Sequence, residues 1–289
     1  MKEKLFIYIT IFGLLMFSII SHGNQQVVVT LGNDLNQQQR QEILELFRVV
    51  EEDTRILLIT NEEERKYLEG VASEKEIGNH AISSAFVKSL APGEKMTIEI
   101  YNINWLTKDM VANALTTAGI TNAKVIIAAP FEVSGTAALT GIIKAFEELR
   151  GKALGEGEKR AANREIVKTG ELGQDIGREK AATLIREIKY ILVKEGVKEP
   201  EEIRKIVINV ANELNISLSD KQLQDILNLM EEISRLKIDR QLIQGQLKDI
   251  GKSLNEISSG NKEIKSLLER IIDMIGNFLK TILGMLSKG

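Results

Sequence analysis

Apolar positions in residues 24–150 alternate between the period of a strand and that of a helix. Val27 to Leu31 is a β-branched run. Asn36-x-x-Gln39 follows it as a capping box and predicts a helix that buries Ile43, Leu44 and Phe47. Arg55 to Thr60 reads as a second strand, and Thr60-x-x-Glu63 as a second capping box, opening a short helix through Tyr67 and Leu68 that ends near Gly70. Ile82 to Leu90 and Met96 to Tyr101 are strand-like. The turn dipeptide Pro92-Gly93 between them predicts a hairpin. Thr107 caps a helix over 108–118, Lys124 to Ala129 is the most buried-looking strand, and a helix runs from about Gly135 to Leu149. The strand–helix–strand order over 96–129 predicts a parallel pair and the hairpin an antiparallel one. The expected fold is therefore an α/β or α+β N-terminal domain with a mixed sheet over residues 24–150, with helices packed on it.

The second half has a different texture. Residues 151–177 hold six glycines among charged residues and read as a hinge containing one helix around 158–168. Beyond it the spacing is helical throughout, which predicts an all-α C-terminal region. Residues 178–195 have helical period, Pro200 starts a helix burying Ile203, Ile206, Val207 and Val210, and Ser219-x-x-Gln222 caps another through Ile226, Met230 and Ile233. A helical region thus covers 178–240. From 241 to 289, apolar residues starting at Ile243, Leu247, Ile250 and Leu254 recur by fours and threes, the seam of a coiled coil or long amphipathic helix. Gly245, Gly251 and Gly260 weaken that pattern, and the stripe widens from Leu267 onward. Three uses are open to the last stretch, Ile264 to Leu286: closing the chain's own bundle, self-association, or contact with the outer face of a membrane.

The first 23 residues bear on compartment. Lys2 and Lys4 precede an uncharged run from Leu5 to Ile20, and Ser21-His22-Gly23 ends in small residues at the positions a signal peptidase reads. This is the layout of a secretory signal peptide, and the run falls short of the roughly 20 residues of a spanning helix. An uncleaved N-terminal anchor is the rival reading. The expected location is outside the cytoplasm, secreted or at the cell envelope.

Composition narrows the chemistry. The chain has no cysteine, which removes disulfides, thiol catalysis and cysteine-held zinc together. A formal charge of −3 leaves no basic excess for nucleic acid, so no nucleic-acid partner is expected. Aromatic residues are 4% of the chain, which points to helices with aliphatic cores.

Three blocks are distinctive: Tyr101-Asn102-Ile103-Asn104-Trp105-Leu106-Thr107 with Ala128 to Ile142 after it, Thr60 to Gly70, and Thr169-Gly170-Glu171-Leu172-Gly173. Together they resemble the YpuA-like family of exported bacterial proteins, the family of domain of unknown function 1002, over roughly residues 27–235. The resemblance implies an exported protein. It implies no catalytic residues.

Candidate chemistry is sparse. After residue 23 the single histidine is His80, and no His/Glu pair has zinc-ligand spacing, so neither a metal nor a cofactor is expected. Asn33, Asp34 and Asn36 resemble part of a calcium loop but lack its glycine and closing glutamate. They read instead as a cap and a solvated carboxylate. Ser134 lies between a buried strand and a small-residue helix, where an α/β-hydrolase presents its nucleophile. The flanking glycines of that elbow are replaced by Glu132 and Thr136, and any base would have to be His80. The competing reading of Ser134 is a helix cap. A milder site gathers Asn102, Asn104, Trp105, Phe131, Ser134, Gly135 and Thr136 beyond the carboxyl ends of parallel strands, with the helix start at 134–136 offering N–H groups to a small anion. Glu62, Glu63 and Glu64 suit the first turn of a helix, and Glu147 and Glu148 a solvated face. These features point to a non-enzymatic binding or interaction module. The alternatives are a serine hydrolase using Ser134 and His80, and a small-anion binder at 134–136.

Overall fold

The computed structural model describes residues 27–257 except Ile238, with side chains as far as Gly251. In chain order the elements are β1 (Val27–Gly32), α1 (Gln37–Phe47), β2 (Arg55–Ile59), α2 (Asn61–Leu68), α3 (Glu74–Ile77), β3 (Ser84–Ser89), β4 (Thr97–Ile103), α4 (Lys108–Thr117), β5 (Ala123–Val133), α5 (Thr136–Arg150), α6 (Glu156–Ile176), α7 (Arg178–Glu195), α8 (Pro200–Glu213), α9 (Asp220–Ser234) and α10 (Arg240–Ile257). A single 3₁₀ turn, Glu51–Asp53, precedes β2. Among the described residues no helix is long and apolar enough to cross a membrane.

Local chemistry starts the helices where expected. Asn36, Thr60 and Ser219 each form a complete capping box, and Thr107 accepts the Met110 N–H at 3.2 Å. Each such cap is worth about 1 kcal/mol. The helices are then held by burial. Ile43, Leu44 and Phe47 of α1 close over Val29, Leu31, Ile126 and Ala128 on one face of the sheet, at roughly 1.5–3 kcal/mol for each large side chain. The opposite face, with Val28, Ala85, Val87, Val125 and Ile127, is covered by α4 and α5.

The sheet is mixed, with strand order β2-β1-β3-β5-β4. β1 pairs with β2 and β4 with β5 in parallel, while β3 is antiparallel to both of its neighbours. The parallel pair over 96–129 is as expected. The hairpin is not formed. Pro92-Gly93 does turn the chain, with Gly93 at φ +92° and Glu94 N–H donating to Ala91 O at 3.1 Å. β4 nevertheless pairs on the far side of β5. Val125, Ile127, Ala128 and Ala129 are no more than 1% exposed, so β5 takes an interior position and β4, with Glu99 and Tyr101, takes the edge.

The second departure is the expected hinge. Residues 156–176 form one continuous helix of 21 residues. Two of its glycines serve packing: a Cβ on Gly170 would lie 2.8 Å from the Trp105 ring, and one on Gly173 would lie 3.0 Å from the backbone of Arg178. α6 is a shared wall. Ala162, Ile166 and Val167 join the core beneath the sheet, whereas Ala161 and Leu172 join a second core built by α7, α8, α9 and α10. Ile243 and Leu247, the first seam positions, are buried in that second core. The seam from Leu254 onward and residues 1–23 lie outside the residues whose side chains are described.

Polar groups are also buried at this wall. Lys189 of α7 is fully buried and donates to Glu165 Oε1 at 2.6 Å, to the Asn113 carbonyl at 2.6 Å and to the Thr117 hydroxyl at 3.0 Å; Thr117 in turn donates to Glu165. Burial pushes the Lys189 ammonium's pKa down, and Glu165 pulls it back up. Lys189→Met should cost about 3–5 kcal/mol, because it strands the Glu165 carboxylate in the core. The double variant Lys189→Met/Glu165→Leu should recover most of that loss. Urea unfolding of the three chains measures both changes, and equal destabilisation of single and double variants would contradict the account.

Candidate functional site

Because β3 alone runs against the other four strands, the carboxyl ends of β1, β2, β4 and β5 share one edge of the sheet, the edge where open α/β sheets bind ligands. At the β4–β5 side the ladder breaks. Tyr101 pairs with Ala128, and the next pair is Ile103 with Val133, so Ala129–Glu132 loops out opposite Asn102. Asn102 occupies the left-handed region, φ +56°, and its side-chain amide donates to Ala129 O at 2.8 Å. The Asn104 N–H donates to Val133 O at 3.0 Å and closes the bulge. Phe131 sits in it 49% exposed, beside a strand end where Tyr101 is 42% exposed.

The seven residues expected to share a ligand site divide into two groups. Asn102, Asn104 and Phe131 are exposed around the bulge. Trp105, Gly135 and Thr136 are interior. Trp105 is pressed against Gly170, and a Cβ on Gly135, at φ +100°, would stand 2.8 Å from Ile103 and 2.9 Å from Leu106. Ser134 lies between the groups, its hydroxyl 3.0 Å from the Thr136 hydroxyl, which donates to Glu76 O at 3.3 Å. The helix start that was expected to offer N–H groups is enclosed: Thr136, Ala137 and Ala138 are buried, and the Ala138 N–H donates to Ser83 Oγ at 2.9 Å.

His80 is drawn to a different partner. Its Nδ1 stands 3.8 Å from Asp34 Oδ2, and its side chain is mostly exposed. The same carboxylate accepts the Ala81 N–H at 2.7 Å, so Asp34 clamps the β1 end to the segment before β3. Asn36 is a cap, as read from its spacing. Among the described residues no group of three or more His, Asp or Glu is placed to hold a metal ion.

Glu147 differs from the solvated face expected of it, and Glu64, in the first turn of α2 as expected, is turned inward. Glu64 is 1% exposed under the start of α5, where Asn61 Nδ2 donates to its Oε2 at 3.2 Å and its Oε1 meets no donor among the described residues. Burial raises its pKa above the ordinary 4.5, against the lowering effect of the Thr136 hydroxyl and Asn61. The side chain at this fourth position of α2 turns inward. Glu63, its neighbour, closes the Thr60 capping box and pairs with Lys144. Glu147 is half-buried and accepts from the Leu154 N–H and Lys159 Nζ at 3.0 and 3.1 Å. In the sequence both glutamates belong to runs of acids, and only the inward direction of one member separates it from the others. Tyr101 was readable as the last residue of a strand, but its outward direction depends on β4 being an edge.

Folding that holds the Glu64 proton more tightly than the unfolded chain does is favoured below pH 4.5, and the advantage is lost as pH rises through the elevated native value. Glu64→Gln should therefore raise the melting temperature at pH 7, with the gain shrinking toward pH 4.5. Calorimetry across that range checks it; a variant less stable at pH 7 would show that the carboxylate is stabilising.

Comparison with known proteins agrees with the motif blocks. The family model described as "Protein of unknown function (DUF1002)" matches residues 31–250. The uncharacterized protein YpuA of Bacillus subtilis (strain 168) is 38% identical over 260 residues, covering 90% of this chain and 89% of that protein. No solved structure matches. With the match spanning both the mixed sheet and the helical half, the chain belongs to the DUF1002 family.

Proposed function

We propose that this protein is an exported, non-enzymatic binding module that recognises a protein partner through the bulge carrying Phe131. The observation behind this reading is the bulge itself. A left-handed asparagine and an interrupted ladder hold an aromatic side chain half in water at the carboxyl edge of the sheet. Backbone strain and bulges of this kind concentrate at functional sites, and exposed aromatics on a fixed scaffold are the side chains that anchor interfaces. Three groups along this edge are engaged with the protein: Ser134 with Thr136, Ser83 with Ala138, Asp34 with Ala81. Export rests on the basic start, apolar run and small residues of positions 1–23.

Photocrosslinking from p-benzoylphenylalanine in producing cells tests the partner. Position 131 should give discrete adducts that position 50 does not, although Val50 is 58% exposed, and Asn102→Ala should diminish them. Identical adducts from both positions, or none from 131, would overturn the reading. N-terminal sequencing tests export separately: the product outside the cytoplasm should begin at Asn24, and a cytosolic product retaining Met1 would remove that part of the proposal.

A further inference from the structure

A cleft of about 640 Å³ opens between α2 and the first turn of α6, well apart in sequence from the Phe131 bulge. Its floor is held from behind. Glu63 pairs with Lys144 of α5, Lys159 bridges Glu147 at 3.1 Å, and the Asn163 amide donates to Tyr67 O at 3.1 Å, tying the two helices together. Lys159 Nζ also lies 5.6 Å from the centre of the Tyr67 ring, a cation–π distance. At the rim stand Lys66 and Glu69, both exposed and without an ion-pair partner among the described residues. Gly157 adds bare backbone to the wall.

The charges in and directly behind this cleft balance. Lys66 and Glu69 both stand at the rim, Glu63 pairs with Lys144, Lys159 is shared by Glu147 and Glu156, and Arg160 and Arg164 share Glu232. An ion of either sign would therefore gain little field here. What the cleft does offer is one ammonium donor and one carboxylate acceptor at its rim, Lys66 and Glu69, next to a tyrosine ring and Val71. Hydroxyl groups both donate and accept, and a sugar ring adds a C–H face that packs on an aromatic. We infer that the cleft between α2 and α6 binds an uncharged saccharide chain, with Tyr67 under a sugar ring and Lys66 and Glu69 bonding its hydroxyls. The volume is within the range of small-molecule sites.

Isothermal titration of the purified chain with three tetrasaccharides (β-1,4-linked N-acetylglucosamine, cellotetraose and maltotetraose) tests this directly. At least one should bind. Lys66→Ala/Glu69→Ala should weaken it by about tenfold, the effect of one or two net hydrogen bonds. Both side chains are exposed, so the variant's melting temperature should match the parent's. Tyr67→Ala should weaken binding further, and Phe131→Ala should leave it unchanged, which separates this site from the bulge. Binding to none of the three, binding undiminished by Lys66→Ala/Glu69→Ala, or binding of inorganic phosphate or triglycine in their place would overturn the inference.

Discussion

A lysine ammonium withdrawn from water is tolerable only if each of its three protons meets an acceptor and its charge meets an opposite one. Lys189 satisfies both demands, and its partners come from two other helices: Glu165 from α6, and Thr117 with the Asn113 carbonyl from α4. The geometry leaves little room for alternatives. Sliding α7 along α6 by one turn would separate the ammonium from the carboxylate and leave both charges buried and unpaired, a far larger penalty than the loss of a few apolar contacts. This pair therefore sets the register between the helix that covers the sheet and the helices of the second core. With Asn113 Nδ2 donating to Ala182 O at 3.0 Å, it makes the two halves one packed body.

That register has consequences at the sheet. It holds α6 where Gly170 receives the Trp105 ring, and Trp105 lies in the segment between β4 and α4. Its neighbours Leu106 and Ile103 crowd Gly135 at the start of α5. The carboxyl edge is thus filled on its inner side by packing. At the β4–β5 side the outward face of the bulge, with Asn102, Asn104 and Phe131, stays in contact with water. The same placement of α6 against α2 forms the walls of the charged cleft, so the bulge and the cleft both depend on the helix register that this buried ion pair sets.

Much of the architecture was legible residue by residue. Asn36, Thr60, Thr107 and Ser219 announced helix starts because a capping side chain acts on backbone groups two or three residues away, and that geometry is local. Val27–Leu31 and Lys124–Ala129 announced strands for a similar reason, since β-branched and apolar runs suit a pleated, buried backbone. The glycines of 151–177 misled because a glycine admitted for close helix packing looks the same in a sequence as one admitted for a flexible turn. Only the presence of Trp105 opposite Gly170 distinguishes them.

The sequence by itself determined where helices and strands begin, that the sheet is mixed, that the second half is helical, and which family the chain belongs to. These follow from short-range hydrogen bonding, from apolar periodicity and from motif blocks. Tertiary structure alone decided that β5 inserts between β3 and β4, that α6 is continuous, that Glu64 points inward while Glu62 faces water, and that Trp105 is interior while Phe131 is presented. Each of those outcomes depends on which surfaces compete for burial across distances of tens of residues, a competition that no local window of the chain contains.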